Sequence, residues 1–282
     1  MTRTAITIWA AVGTLAAANA TLAAPFAMIT DLKGEAWAME SGKPRKLSLL
    51  GYIENPTEIK IDGPGKLAIT YFANGVQYSF AGPARVALES AAPKVIDGQA
   101  VELKKVTPEK SIGGGLSSDQ WRRLQQATVV MRNVKSTFAV VGPDKTAVLA
   151  REPEFEWTSV AGAKGYRLVV YGPQNDILHE ITTDQTSLKP ALGLQPGVRY
   201  RWKVDALGVA KPVSANGVFT VADDSARERM AEMKRSAGAE LGARSFYATT
   251  LEAEGHTYDA RAEWKSLARE FPNEPEIVQR SR

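Results

Sequence analysis

Along residues 26–105 apolar side chains recur at every second position and are interrupted by turn residues, the signature of short, half-buried strands. In "GEAWAME", Glu35, Trp37 and Met39 alternate with Ala36 and Ala38, and "EIKID" sets Ile59 and Ile61 on one face. "KLAITYF" leads into Asn74 and Gly75, a pair that tolerates positive φ, so a hairpin is predicted with "VQYSF" as its return strand. That strand places Val76, Tyr78 and Phe80 on the same side. Six or more strands with no helix between them predict an all-β roll or small barrel.

A second β unit is predicted over residues 138–222. In 198–206, Val198, Tyr200, Trp202, Val204 and Ala206 face one way and Arg199, Arg201, Lys203 and Asp205 the other. One dry face and one wet face are what a sandwich strand needs. Pro196 and Gly197 set the turn before it. Trp157, Tyr166, Leu168, Tyr200 and Trp202 are the expected inter-sheet core, and "AGAKG" is expected to be a hairpin between two adjacent strands. The segment 106–137 reads as a linker with one short helix, N-capped by Ser118 and carrying Asp119 in its first turn. From Asp223 the period becomes helical, giving a tail over 223–282 with a polar first helix and then a hairpin of two. The expected fold is therefore mainly β with a helical C-terminal tail: roll or barrel, immunoglobulin-like sandwich, α-hairpin.

Composition adds a compartment. Residues 1–24 open with Arg3 and continue uncharged and Ala-rich, with an A-x-A pattern at Ala18 and Ala20, so they read as a signal peptide that directs export to a bacterial periplasm. Beyond it no apolar run is long enough to span a membrane, so no stable span is expected after cleavage. The cysteine count is zero, which excludes disulfides, thiolate chemistry and a lipoprotein anchor. Residues 106–150 carry six basic groups against three acidic, while the rest of the chain is nearly balanced. No segment has the basic stripe that a phosphate backbone requires, so nucleic acid is not an expected partner.

Three resemblances follow from these residues. The opening strand at Gly34 and Glu35, the Leu47 to Gly51 step, the stretch 59–66 and the turn at Gly75 resemble the FecR-type periplasmic domain over roughly 80 residues. The pattern of Pro153, Phe155, Trp157, Ala163, Tyr166, Leu168, Val170, Leu194, Pro196, Gly197, Tyr200, Trp202, Val204 and Ala206 resembles a bacterial fibronectin type III or related immunoglobulin-like sandwich. Ala248, Leu251, Gly255, Ala260, Trp264 and Pro272 resemble one tetratricopeptide-type hairpin, with Leu267 where that family usually has a small residue. FecR regulators also carry a cytoplasmic helical segment and a membrane span, which this chain replaces with a signal peptide. The resemblance therefore implies an envelope protein that works with other envelope proteins, such as a membrane protein encoded nearby.

No catalytic set emerges. The two histidines lie in different modules, His179 in phase with Ile177 and Ile181 on an edge strand and His256 at the turn between tail helices, in a surface or capping role. Glu152, Glu154 and Glu156 share a strand face about 7 Å apart by strand rise, but as the wet face opposite Phe155 and Trp157. Residues 113–115 form a Gly run without the Lys-Ser/Thr of a phosphate loop. No cofactor, metal or enzymatic activity is expected. The expected function is a non-enzymatic envelope interaction or sensor protein, the alternative a glycan- or peptidoglycan-binding accessory. Candidate ligand or partner residues are Trp37, Tyr71, Tyr78, Phe80, Tyr247 and Trp264.

Overall fold

The computed structural model describes residues 24–40, 42–98, 102–105, 116–129 and 138–282. Residues 1–23 of the expected signal peptide (1–24) and the Gly run at 113–115 lie outside them.

The N-terminal unit contains β1 (Ala27–Lys33), β2 (Ala36–Glu40), β3 (Lys43–Lys46), β4 (Tyr52–Ile53), β5 (Thr57–Ile61), β6 (Lys66–Tyr71), β7 (Val76–Ala81), β8 (Ala84–Leu88), β9 (Pro93–Asp97) and β10 (Glu102–Lys105). They form two five-stranded antiparallel sheets, ordered β10-β7-β6-β1-β4 and β3-β2-β5-β8-β9. Ile29, Leu67, Ile69 and Phe80 from the first sheet meet Ala36, Ala38, Ile59 and Val86 from the second in one core. The expected barrel is thus corrected to two facing sheets, because among the described residues the strands segregate into separate ladders and do not close. The hairpin at Asn74 is present, its Oδ1 accepting from the Val76 N–H at 2.9 Å.

After α1 (Ser118–Val129) come β11 (Val140–Gly142), β12 (Thr146–Val148), β13 (Phe155–Trp157), β14 (Gly165–Tyr171), β15 (Ile177–Thr183), β16 (Ser187–Leu188), β17 (Arg199–Leu207) and β18 (Ser214–Val221). Sheet β11-β13-β16 packs on sheet β12-β18-β17-β14-β15, a three-on-five sandwich. Phe155, Trp157, Leu168, Tyr200, Trp202 and Phe219 fill the space between, as the alternation predicts. Tyr200 at the start of β17 accepts at its hydroxyl from the Gln195 N–H at 2.9 Å, the corner bond common in such sandwiches. One detail differs: "AGAKG" does not close a hairpin. β13 and β14 lie in opposite sheets, so the turn is a crossover between layers. Likewise the cap of α1 falls on Ser117, whose Oγ accepts from the Gln120 N–H while Gln120 Oε1 accepts from the Ser117 N–H, a capping box.

The tail holds four helices: α2 (Asp224–Ala237), α3 (Leu241–Glu254), α4 (Thr257–Glu270) and α5 (Pro275–Arg280). Asp223 caps α2 through Ala226 N–H at 2.7 Å, and that bond holds the Asp223 carboxyl below its usual range. Although α2 reads as polar, Met230 and Met233 are fully buried, because its narrow apolar stripe lies on α3. The hairpin packs on its own β domains: Phe246, Ala248, Leu251 and Trp264 share a core with Met28, Leu50 and Phe72. Consequently β6 is buried on both faces, Leu67, Ile69 and Tyr71 toward the inter-sheet core and Ala68 and Thr70 toward the helices.

The contact beneath the start of α3 is polar and tight. Thr30 Oγ1 pairs with Thr70 Oγ1 at 3.0 Å and accepts from Gln77 Nε2 at 2.9 Å, so all three buried side chains are satisfied. Gly242 lies directly above, and a Cβ there would stand 2.7 Å from the Thr30 carbonyl oxygen, which is fixed in β1. Gly242→Ala is therefore expected to push α3 off the sheet and to destabilise by about 1–3 kcal/mol, as overpacking does. Urea unfolding of the variant checks this; an unchanged midpoint would show that the helix shifts freely.

Candidate functional site

The sandwich would present β12 as an edge strand, with unpaired backbone groups on its outer side. Instead the turn between α3 and α4 covers it. Gly255, left-handed at φ 87°, ends α3, and its carbonyl accepts from the Ala147 N–H and the Thr146 hydroxyl, both at 3.0 Å. His256 Nδ1 lies 3.1 Å from the Ala147 carbonyl, Asp259 Oδ2 accepts from the Leu149 N–H at 3.0 Å, and Arg227 Nε donates to the Leu149 carbonyl at 2.9 Å. Burial pushes the Asp259 carboxyl up, against the pull of that N–H and of His256. His256 takes the N-cap position of α4, though its side chain makes no cap bond, and it is buried in a module interface, which corrects the expected surface role; its place in the turn between two helices hid the neighbouring strand. Tyr258 donates to the Glu154 carbonyl at 2.8 Å and to Glu156 Oε1 at 3.0 Å, so Glu156 also serves this docking. His179 stands on the edge strand β15 opposite Val170, where the pattern places it.

Beside this seam lies an open cavity of about 440 Å³, where α1, the β12–β18 edge of the sandwich and the end of α3 meet. Its walls carry Arg123, Lys145 and Arg199, all exposed and, among the described residues, without a carboxylate partner. Glu254, the acid on the same wall, is engaged by Arg229 at 2.5 Å. The Arg123 guanidinium reaches to the position a side chain at Gly255 would occupy, 3.4 Å away. Lys145 is held at φ 51°, a left-handed conformation uncommon for lysine, by its N–H bond to the Val218 carbonyl at 2.6 Å. Arg201 follows Arg199 on the same face of β17 and stacks on Tyr171 at 5.8 Å.

The six residues expected from sequence fall elsewhere and apart. Tyr71 and Phe80 belong to the inter-sheet core, and Tyr247 and Trp264 to the core of the tail, so none of these four offers a ligand surface. Their aromatic area is consumed by packing, and desolvation pushes the Tyr71 and Tyr247 hydroxyls well up. Tyr78 is half-buried with its ring edge-on to Tyr71 at 5.3 Å. Trp37 also keeps a partly open face, opposite the buried Ala36 and Ala38, with Lys46 Nζ 5.7 Å above its ring. Trp37 and Tyr78 lie in opposite sheets and do not form one platform. The basic groove was missed because its residues come from three separate segments; the excess of positive charge in 106–150, which holds Arg123 and Lys145, was its one trace.

Among the described residues no group of three or more His, Asp or Glu side chains is arranged to hold a metal, and no helix is long and apolar enough to cross a membrane. No family model and no curated protein matches the chain. Solved structures similar to parts of it include "Crystal Structure of FN3tt", 19% identical over 29% of this chain and 88% of that one, with a TM-score of 0.20. "Structure of FN3tt mut" is 22% identical, covering 28% and 87%, also at 0.20. "Biofilm associated protein - BSP domain" is 13% identical over 68% of this chain, which spans a quarter of that one's length (25%), with a TM-score of 0.21.

Proposed function

We propose that the chain is a non-enzymatic, exported binding protein of the bacterial envelope, in which a FecR-like domain and a fibronectin type III-like sandwich are locked together by a tetratricopeptide-like hairpin. The observation that carries this reading is the double docking of the tail. α3 lies on the N-terminal sheet through Phe246 and Gly242, while the start of α4 seals the sandwich edge through Gly255 and Asp259. The hairpin's apolar groove is thus used internally, and what the assembly offers outward is a surface shared between modules. A fixed frame of this kind suits recognition, because pre-ordering removes part of the entropy that binding must otherwise overcome. In this reading the partners are envelope proteins, including a membrane protein encoded beside it. The test is cross-linking in intact cells followed by capture of the tagged full chain. Retention of a defined envelope protein by the native chain, and its loss when Gly242→Ala loosens the frame, is the expected result. A cytoplasmic location, or no partner retained by the native chain, would overturn the proposal.

The basic groove favours a second reading, in which the ligand is a glycan.

A further inference from the structure

We infer that the groove between α1, the β12–β18 edge and the end of α3 is a binding site for an anionic saccharide, a sugar unit bearing carboxylate or phosphate. The inference rests on the reading of the chain as an envelope binding protein for where such a ligand is met, and on charge and geometry for the site itself.

Three cations converge from different elements: Arg123 from α1, Lys145 from the turn before β12, and Arg199 from β17. None is neutralised among the described residues, whereas Lys203 on β17, Arg167 on β14 and Arg227 on α2 are paired with Asp205 and Asp224. Like charges held around one concavity without counter-ions repel one another, and an anion placed between them relieves that repulsion. Guanidinium forks give bidentate bonds to carboxylate or phosphate, and a lysine adds a point charge. The cavity of about 440 Å³ lies in the range of small-ligand sites. Thr220 on its floor is half-buried with a hydroxyl that has no partner among the described residues, a ready donor and acceptor for a sugar hydroxyl.

An acidic peptide shares the charge but suits the site less well. Extended peptides take their affinity largely from main-chain bonds to a free strand edge, and here the outer edge of β12 is already bonded to Gly255, His256, Asp259 and Arg227. Recognition must come from side-chain cations and hydroxyls, which is how charged sugars are held. Arg201, one pleat beyond Arg199 and about 7 Å along the strand, extends the positive row past the cavity, as a repeating anionic glycan would use it.

Calorimetric titration of the full mature chain would compare trigalacturonate, glucose 6-phosphate, maltotriose and hexaglutamate at two salt concentrations. The expected result is binding of one or both anionic sugars, weakened by salt, with little response to maltotriose. Arg199→Glu and Lys145→Glu, both at exposed positions, should each lower that affinity at least tenfold without moving the thermal midpoint. Lys189→Glu, on an exposed lysine away from the groove, should leave it unchanged. Binding of neither anionic sugar, equal binding of maltotriose, an unaffected Arg199→Glu variant, or tighter binding of hexaglutamate would each overturn the inference. A negative titration beside a retained protein partner in the cross-linking experiment would sink this site alone and leave the envelope-binding reading standing.

Discussion

Trp264→Ala is expected to destabilise the protein by about 3–5 kcal/mol, the range for removing a fully buried Trp from a core. Trp264 is 1% exposed and lies where α4, α3 and α5 meet. Its indole does three things at once. It fills the helical core beside Leu251 and Leu267, donates Nε1–H to Glu252 Oε1 at 2.8 Å, and lies 5.2 Å beneath the Arg280 guanidinium. Truncation leaves a cavity and also strips a buried carboxylate of a donor, so the loss belongs at the upper end of that range. For a chain of this size the transition that reports the tail should fall by roughly 6–20 °C. Trp264→Phe keeps most of the volume and removes only the N–H, so its loss should be clearly smaller. Thermal unfolding followed by circular dichroism separates the two; equal losses would show that the cavity is irrelevant and the N–H everything.

How much of this was legible in the sequence depends on which contacts are local. The strand carrying Tyr200, Trp202 and Val204 was readable because alternation along one segment suffices to define a buried face. The hairpin at Asn74 was readable because turn chemistry is short-range. The split of the N-terminal strands into two open sheets was not, since a roll, a barrel and a pair of facing sheets share one alternation. The docking of the tail left a clue in β6, "KLAITY", a nearly unbroken run where a strand with one wet face would alternate. Such a run marks a strand covered on both sides, and the covering elements lie 170 residues and more further along the chain, in α3.

The same distance explains the fate of the candidate site. Exposed aromatics are reasonable candidates for a binding surface, but whether an aromatic is exposed depends on its long-range neighbours. Phe80 and Tyr71 were absorbed by the facing sheet, and Trp264 and Tyr247 by α3 and α2 packing on the hairpin. Arg123, Lys145 and Arg199 looked like ordinary solvated charges one by one. Only the fold brings them to one cavity and sends the nearest acid, Glu254, to Arg229.

Arg280 gives the second large effect, and one with a pH signature. It fixes α5 to the N-terminal unit, its guanidinium lying between the rings of Tyr52 at 5.7 Å and Trp264 at 5.2 Å. It donates to Glu252 Oε2 at 3.0 Å and to the Tyr52 hydroxyl at 3.1 Å. Breaking a buried pair from one side leaves the other charge uncompensated, so Arg280→Met should destabilise by about 3–5 kcal/mol near neutral pH. Burial already pushes the Glu252 carboxyl above its usual range, opposed by Arg280 and by the Trp264 N–H. Removing Arg280 takes away the stronger opposition, and the carboxyl moves further up. A carboxyl whose folded pKa stands above its unfolded one binds its proton more tightly when folded, so stability falls as pH rises through that window. The penalty is complete above the folded pKa and vanishes below the unfolded one. The deficit of Arg280→Met relative to the native chain should therefore be larger at pH 8 than at pH 5, measured as urea midpoints. Glu252→Gln added to Arg280→Met removes the titrating charge, and should recover part of the loss and flatten the pH dependence. A deficit that is the same at both pH values would mean that Arg280 acts by packing between two rings, with the ion pair contributing nothing.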